Sequence, residues 1–206
     1  MKHRFIRLSL LGLASLAGCT DAGVAGKLAE TEPAEPKTGE LLIATVPTGW
    51  KLDFSTNTPG LNIAEYSPDD GAEKWTTKIK FESLGGDYLP EPADFFSSFS
   101  KDQQEVCPDL ENHSTFSGQE NGYDTAVHLF ICPRNKLSNI SLVSLIKAIK
   151  GNEYFYVINR SQRAAALPQG ERPLSEEEIA GWSLYIRSIS VCDTEKPQHP
   201  CPQPAT

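Results

Sequence analysis

Ile140-Ser141-Leu142-Val143-Ser144-Leu145-Ile146-Lys147-Ala148-Ile149 decides the fold. Ile140, Leu142 and Ile146 share one parity and Val143, Leu145 and Ile149 the other, the pattern of a strand buried on both faces. Such a strand belongs near the centre of a sheet. A helix competes for so long an apolar run, but the β-branched content favours a strand. Gly151-Asn152 then turns the chain into 153–159, the expected partner strand.

Upstream, Asn121-Gly122 between alternating segments is a hairpin turn, predicting strands over 112–119 and 123–132. Tyr123, Thr125, Val127, Leu129 and Ile131 form one face of the second strand. Downstream, Ser175 with Glu178 three residues later is a capping box. Leu174 and Ile179 staple the same helix start, and Ile179, Trp182, Tyr185, Ile186 and Ile189 form its apolar stripe. Closer to the N-terminus, 41–46, 50–54 and 61–66 read as short strands. Trp75, Thr77, Ile79 and Phe81 alternate with Thr76, Lys78 and Lys80 in a half-buried one. Pro92 opens a helix carrying Phe95, Phe96, Phe99 and Val106, which Pro108 ends.

Four cysteines lie in this region, Cys107, Cys132, Cys192 and Cys201, and they allow three connectivities. A two-residue turn bracketed by Glu120 and Tyr123 sets Cys132 opposite Glu111, within reach of Cys107 at the end of the helix. Cys192 and Cys201 then close a small C-terminal loop. The loop-entropy model gives about 3–4 kcal/mol for the longer loop. Neither pair has the C-x-x-C spacing of zinc or redox sites, so both read as structural disulfides.

The N-terminus carries Lys2, His3, Arg4 and Arg7 before an apolar segment over 8–17, shorter than the ~20 residues a spanning helix needs. This is the form of an export signal. Its end, Leu16-Ala17-Gly18-Cys19, resembles the bacterial lipoprotein lipobox, which implies cleavage before Cys19 and acylation of that residue. More than one acyl chain would hold the protein firmly in a membrane. By resemblance to the sorting rule of such lipoproteins, Thr20 rather than Asp after the cysteine implies the outer membrane, facing the periplasm. From Thr20 to Glu40 the chain has almost no large apolar residue and reads as a disordered leash. The expected plan is a signal over 1–18, a lipidated cysteine and linker over 19–40, one domain over 41–192, and a Pro-rich tail over 193–206 pinned by a disulfide.

Strands, a helix, more strands and a closing helix give an α+β domain with a mostly antiparallel sheet. Pro47-x-Gly49-Trp50 near its start, the helix after the first strands, and the closing helix after a long strand pair resemble the PsbP/DcrB-like group over about 40–192. That resemblance implies an α-β-α sandwich, in a group that includes lipid-anchored envelope proteins. It brings no catalytic motif.

The net charge of −8, more acidic still without the signal's Lys2, Arg4 and Arg7, argues against nucleic acid as a partner. No G-x-S-x-G, phosphate-binding loop, dinucleotide fingerprint or H-E-x-x-H occurs. The hairpin register sets His128 against Thr115 and His113 against Phe130, placing both histidines on one face about 7–8 Å apart. Asp124 shares that face but stands about 13 Å along the strand, too far to join them as a metal ligand. Glu176-Glu177-Glu178 is explained by the helix macrodipole. No catalytic residue, cofactor or metal is therefore assigned. The expected function is a non-enzymatic envelope lipoprotein, held in the membrane by the lipid on Cys19 and docking onto another envelope protein. The alternatives are a small-ligand carrier or sensor using Trp75, Phe95 or Trp182, and a metal-dependent hydrolase using His113 and His128.

Overall fold

The computed structural model describes residues 39–68 and 76–202. The signal, Cys19, nearly all of the linker, the turn at 69–71, Trp75 and the last four residues lie outside them. In chain order the described elements are β1 (Glu40–Ile43), β2 (Lys51–Thr58), β3 (Leu61–Ser67), β4 (Thr77–Gly85) and α1 (Pro92–Val106). After these come β5 (Glu111–Glu120), β6 (Tyr123–Cys132), β7 (Ile140–Lys150), β8 (Tyr154–Ala165), α2 (Glu176–Ser188) and β9 (Ser190–Asp193).

Seven strands form one antiparallel sheet in the order β2-β3-β4-β8-β7-β6-β5, while β1 pairs antiparallel with β9. The run at 140–149 is β7, one place from the sheet's middle, and both of its faces are buried. Val143, Leu145 and Ile149 pack with Trp182, Ile186 and Ile189 of α2 and its C-cap, and with Val191 and Leu42 of the β1–β9 pair. Ile146 and Ala148 pack against Phe96 of α1, with Phe95 and Phe99 beside it. Burying each large aliphatic side chain contributes about 1.5–3 kcal/mol, so the two apolar layers on β7 hold the helices to opposite faces. The fold is α+β, with α1 on one side of the sheet and α2 with β1–β9 on the other.

The helix ends follow their sequence signals. Ser175 accepts a hydrogen bond from the Glu178 backbone N–H at 3.2 Å, and the Ser175 N–H donates back to the Glu178 carboxylate at 2.8 Å. Those bonds hold the Glu178 carboxyl below its ordinary pKa. Pro92 stands in the first turn of α1, where its missing N–H costs nothing.

The β5–β6 turn is Asn121-Gly122, with φ of 49° and 80°, the left-handed pair a two-residue hairpin turn requires. Beyond it the structure departs from the simple register. Glu120 faces Tyr123 and Phe116 faces Val127, but the pairing then slips, so that Ser114 faces His128, His113 faces Leu129, and Glu111 faces Ile131. The extra residue is Thr115, whose hydroxyl donates to the Val127 carbonyl at 3.0 Å. A second bulge falls between Leu52 and Phe54 on β2. Both outer strands of the sheet are thus bulged, which discourages edge-to-edge pairing with other chains.

Two further features lie outside the sequence expectations. Strand β9 follows α2 directly and pairs with β1 through Leu41 and Cys192. The tail beyond it is packed rather than merely tethered. His199 stacks on Tyr123 with ring centroids 4.1 Å apart, and Asn121 donates to the carbonyls of Val191 and Pro200 at 2.9 and 3.2 Å.

Candidate functional site: a pocket beside helix α1

Helix α1 lies over β6, β7 and the part of β8 that carries Phe155 and Val157, and its flank looks along the sheet towards β4 and β3. There a pocket of about 310 Å³ opens between helix and sheet. Its floor is built by cross-strand register. One row runs Phe130–Ser144–Ser161–Lys78 across β6, β7, β8 and β4. The next runs Ile146–Asn159–Lys80–Glu65 across β7, β8, β4 and β3. Alternation places each of these side chains on the α1 face, so the floor grades from apolar at β6 to charged at β3.

The apolar end is closed by Phe99 of α1, by Leu110, by Leu142 and Phe130 of the sheet, and by Cys132. Phe99 and Phe130 meet edge to face at 4.9 Å. Cys132 is bonded to Cys107, with Cα atoms 5.9 Å apart, so the disulfide pins the end of α1 to β6 beside the pocket. The polar end carries Lys78 paired with Glu65 at 2.6 Å and Lys80 paired with Glu82 at 2.7 Å. Between the ends runs a hydrogen-bonded chain. Ser161 donates to Asn159 Oδ1 at 2.7 Å, and Ser144 meets Ser161 at 2.9 Å.

The residues singled out from sequence fall in several places. Cys192 and Cys201 form the second disulfide and close the C-terminal loop. Cys19 and Trp75 lie outside the described residues. The histidine pair is separated by the bulge at Thr115. His128 stays on the α1 face with Ser114, stacks on Phe96 at 4.0 Å, and shares a 2.7 Å hydrogen bond with Asn112. Burial holds its imidazole below the ordinary pKa. His113 turns to the α2 face beside Leu129 and meets Glu111 at 3.0 Å. The two histidines therefore occupy opposite sides of the sheet and cannot share one ion, which removes the geometry on which a metal-dependent hydrolase was based. Among the described residues no cluster of His, Cys, Asp and Glu is arranged to hold a metal.

A ligand pocket using Phe95 or Trp182 is corrected in its lining. Phe95 packs against Phe155 and Phe96, in the layer under α1. Trp182 is buried on the α2 face, where it, Tyr185 and Trp50 surround the Arg160 guanidinium at 4.8, 5.3 and 5.9 Å. That cation–π nest holds α2 to β8, and burial holds the guanidinium below its ordinary pKa. Among the described residues no helix is long and apolar enough to cross a membrane. The chain matches no family model, and no curated protein is significantly similar to it.

Proposed function

We propose that this chain is a bacterial envelope lipoprotein, acylated at Cys19, whose PsbP/DcrB-like domain binds a small amphipathic molecule without transforming it. The lipobox and the polar linker support the anchor. The observation that carries the binding reading is the pocket beside α1, with an aromatic and aliphatic end, a charged end, and a serine–asparagine chain between them. Ligand sites are commonly apolar concavities with a few fixed polar groups, and about 310 Å³ is at the small end of their usual range of roughly 300–1,000 Å³. That volume suits a short single-chain compound and not a two-chain lipid. Thermal unfolding of the full chain against a panel of short amphipaths tests the reading. A binder should raise the midpoint with concentration as mass action requires, and a panel without effect would count against the pocket.

Docking onto another envelope protein is the second reading. Leu52 and Phe54 on the edge strand β2 favour it, since each exposes about half of its surface (53% and 49%). In-cell crosslinking that returns one reproducible partner, lost on Phe54→Ser, would support docking, and an unchanged crosslink in that variant would count against this edge.

A further inference from the structure

The charges at the polar end of the pocket cancel. Lys78 is paired with Glu65 at 2.6 Å and Lys80 with Glu82 at 2.7 Å, two cations against two carboxylates. All four side chains are largely shielded from solvent, so screening by water does not loosen these pairs as it would on an open surface. An anionic head could gain a full lysine charge only by taking it from Glu65 or Glu82. A cationic head could gain a carboxylate only by taking it from a lysine. Either exchange replaces one ion pair with another and strands a shielded charge.

The floor offers an uncharged donor instead. Ser161 has one hydroxyl proton and gives it to Asn159 Oδ1. Ser144, 2.9 Å from Ser161, is then the donor of that pair, because the Ser161 proton is already used. Both serine protons run towards Asn159 and occupy its carbonyl side. Its Nδ2 amide keeps two protons and has no partner among the described residues. Gln103 of α1 adds a second carboxamide to the lining, and Phe99, Phe130, Leu110 and Leu142 supply the apolar wall.

We propose that the pocket takes a short amphipath with an uncharged head, a carbonyl or hydroxyl oxygen that accepts from Asn159 Nδ2, with its apolar body against Phe99 and Phe130. This rests on the ligand-binding reading above and names the head-group chemistry of that same site. An ionised head gives up hydration that no unpaired charge in the lining replaces, which sets the expected discrimination against ions of similar length at about ten-fold.

The test is calorimetric titration of the full chain in phosphatidylcholine nanodiscs, with empty nanodiscs as the blank. The probes are 2-nonanone, 1-octanol, octanoate and octyltrimethylammonium at neutral pH. The expected result is that the ketone and the alcohol each bind about ten-fold tighter than either ion. Asn159→Asp keeps the shape and still accepts from Ser161 but replaces the amide donor with an acceptor. The ketone, which can only accept, should weaken about five-fold, while the alcohol, which can turn and donate, keeps its affinity. Either ion binding as tightly as the ketone would overturn the head-group assignment and leave the pocket intact, and this wild-type comparison decides the matter even where the variant misfolds. A ketone-to-alcohol ratio unchanged in a folded Asn159→Asp would overturn it too. Binding of none of the four would overturn it together with the ligand-binding reading.

Discussion

Lys147 Nζ lies 2.6 Å from the carbonyl oxygen of Ile189, the residue that ends α2. The same ammonium donates to the Ile186 carbonyl at 3.3 Å and pairs with Glu120. A lysine with no exposed surface, in the middle of an otherwise apolar strand, thus serves as the C-terminal cap of a helix on the neighbouring layer. The last carbonyls of a helix lack partners and carry partial negative charge, so a cation there satisfies both needs. Lys147→Met keeps the length and apolar stem but takes the donor from the Ile189 carbonyl, while the Ile186 carbonyl keeps the Ile189 N–H at 3.3 Å. The expected loss is about 2 kcal/mol in urea unfolding, since each unsatisfied buried acceptor costs about 1–3 kcal/mol. Glu120 is partly exposed and can be resolvated, which holds the loss below that of a fully buried pair. A variant as stable as the wild type would contradict the capping role.

Glu40 plays the matching part at the turn of the β7–β8 hairpin. Its carboxylate accepts from the backbone N–H groups of Asn152, Glu153 and Tyr154 at 2.6, 3.3 and 3.3 Å, and from the Tyr156 hydroxyl at 3.1 Å. Gly151 passes so close to this carboxylate that a Cβ there would collide with it. Glu40→Ala should cost about 2–3 kcal/mol through the orphaned donors. Because β1 would then be held mainly by β9, amide exchange at Leu41 and Ile43 should accelerate more than exchange on β7.

The same acid shapes the response to alkali. Burial, then the negative charges of Glu40 and Asp193, push the Tyr123 phenol up to about 12 from 10.0, and burial with Glu40 raises Tyr156 as well. Between pH 10.0 and about 12 the unfolded chain loses the Tyr123 proton while the folded chain keeps it. The native state then binds more protons, so this contribution to stability is complete below pH 10.0 and is lost as pH rises towards about 12. Lys147 acts oppositely. Burial lowers its pKa, so in the window below 10.5 the unfolded chain holds the extra proton and this contribution to stability rises with pH. Tyr123→Phe should flatten the alkaline loss in urea midpoints measured across this range. A slope unchanged by the substitution would remove Tyr123 as its source.

Removing the Cys107–Cys132 bridge tests the link between fold and pocket. With a sequence separation of 25 residues, the double Cys→Ser variant should lose about 3–4 kcal/mol on loop entropy. Because Cys132 lines the pocket and Cys107 ends α1, binding of a short amphipath that stabilises the wild type should weaken even under conditions where the variant stays folded, as followed by near-ultraviolet circular dichroism. Unchanged affinity in a folded variant would show that the bridge does not set the pocket.

How much of this was legible follows from the range of each signal. The two-sided burial of β7, the Asn121-Gly122 turn and the capping box at Ser175 are local patterns with local causes, and the structure has all three. The cysteine pairing came from the turn register, and it tolerates a one-residue slip because Glu111 is only four residues from Cys107. The histidines do not tolerate it. Side chains alternate along a strand, so the single extra residue at Thr115 moves His113 to the opposite face. Nothing in Ser114-Thr115-Phe116 announces a bulge. Lys147 was hidden for another reason: one lysine in an apolar run looks like a side chain reaching for solvent, and its partners are the ends of a helix about 40 residues away. The pocket was the least legible part. Ser144, Ser161, Asn159 and Lys80 each read as ordinary strand polar residues, and only the pairing of β8 with both β7 and the distant β4 sets them side by side.

The most direct measurement of the central claim is native mass spectrometry of the full chain extracted gently from its own envelope, beside a Leu110→Trp variant that fills the pocket from its rim. The account predicts a small amphipathic molecule retained by the wild type and missing from the variant. A wild type that carries no such mass, and gains none from the panel of short amphipaths, would contradict it.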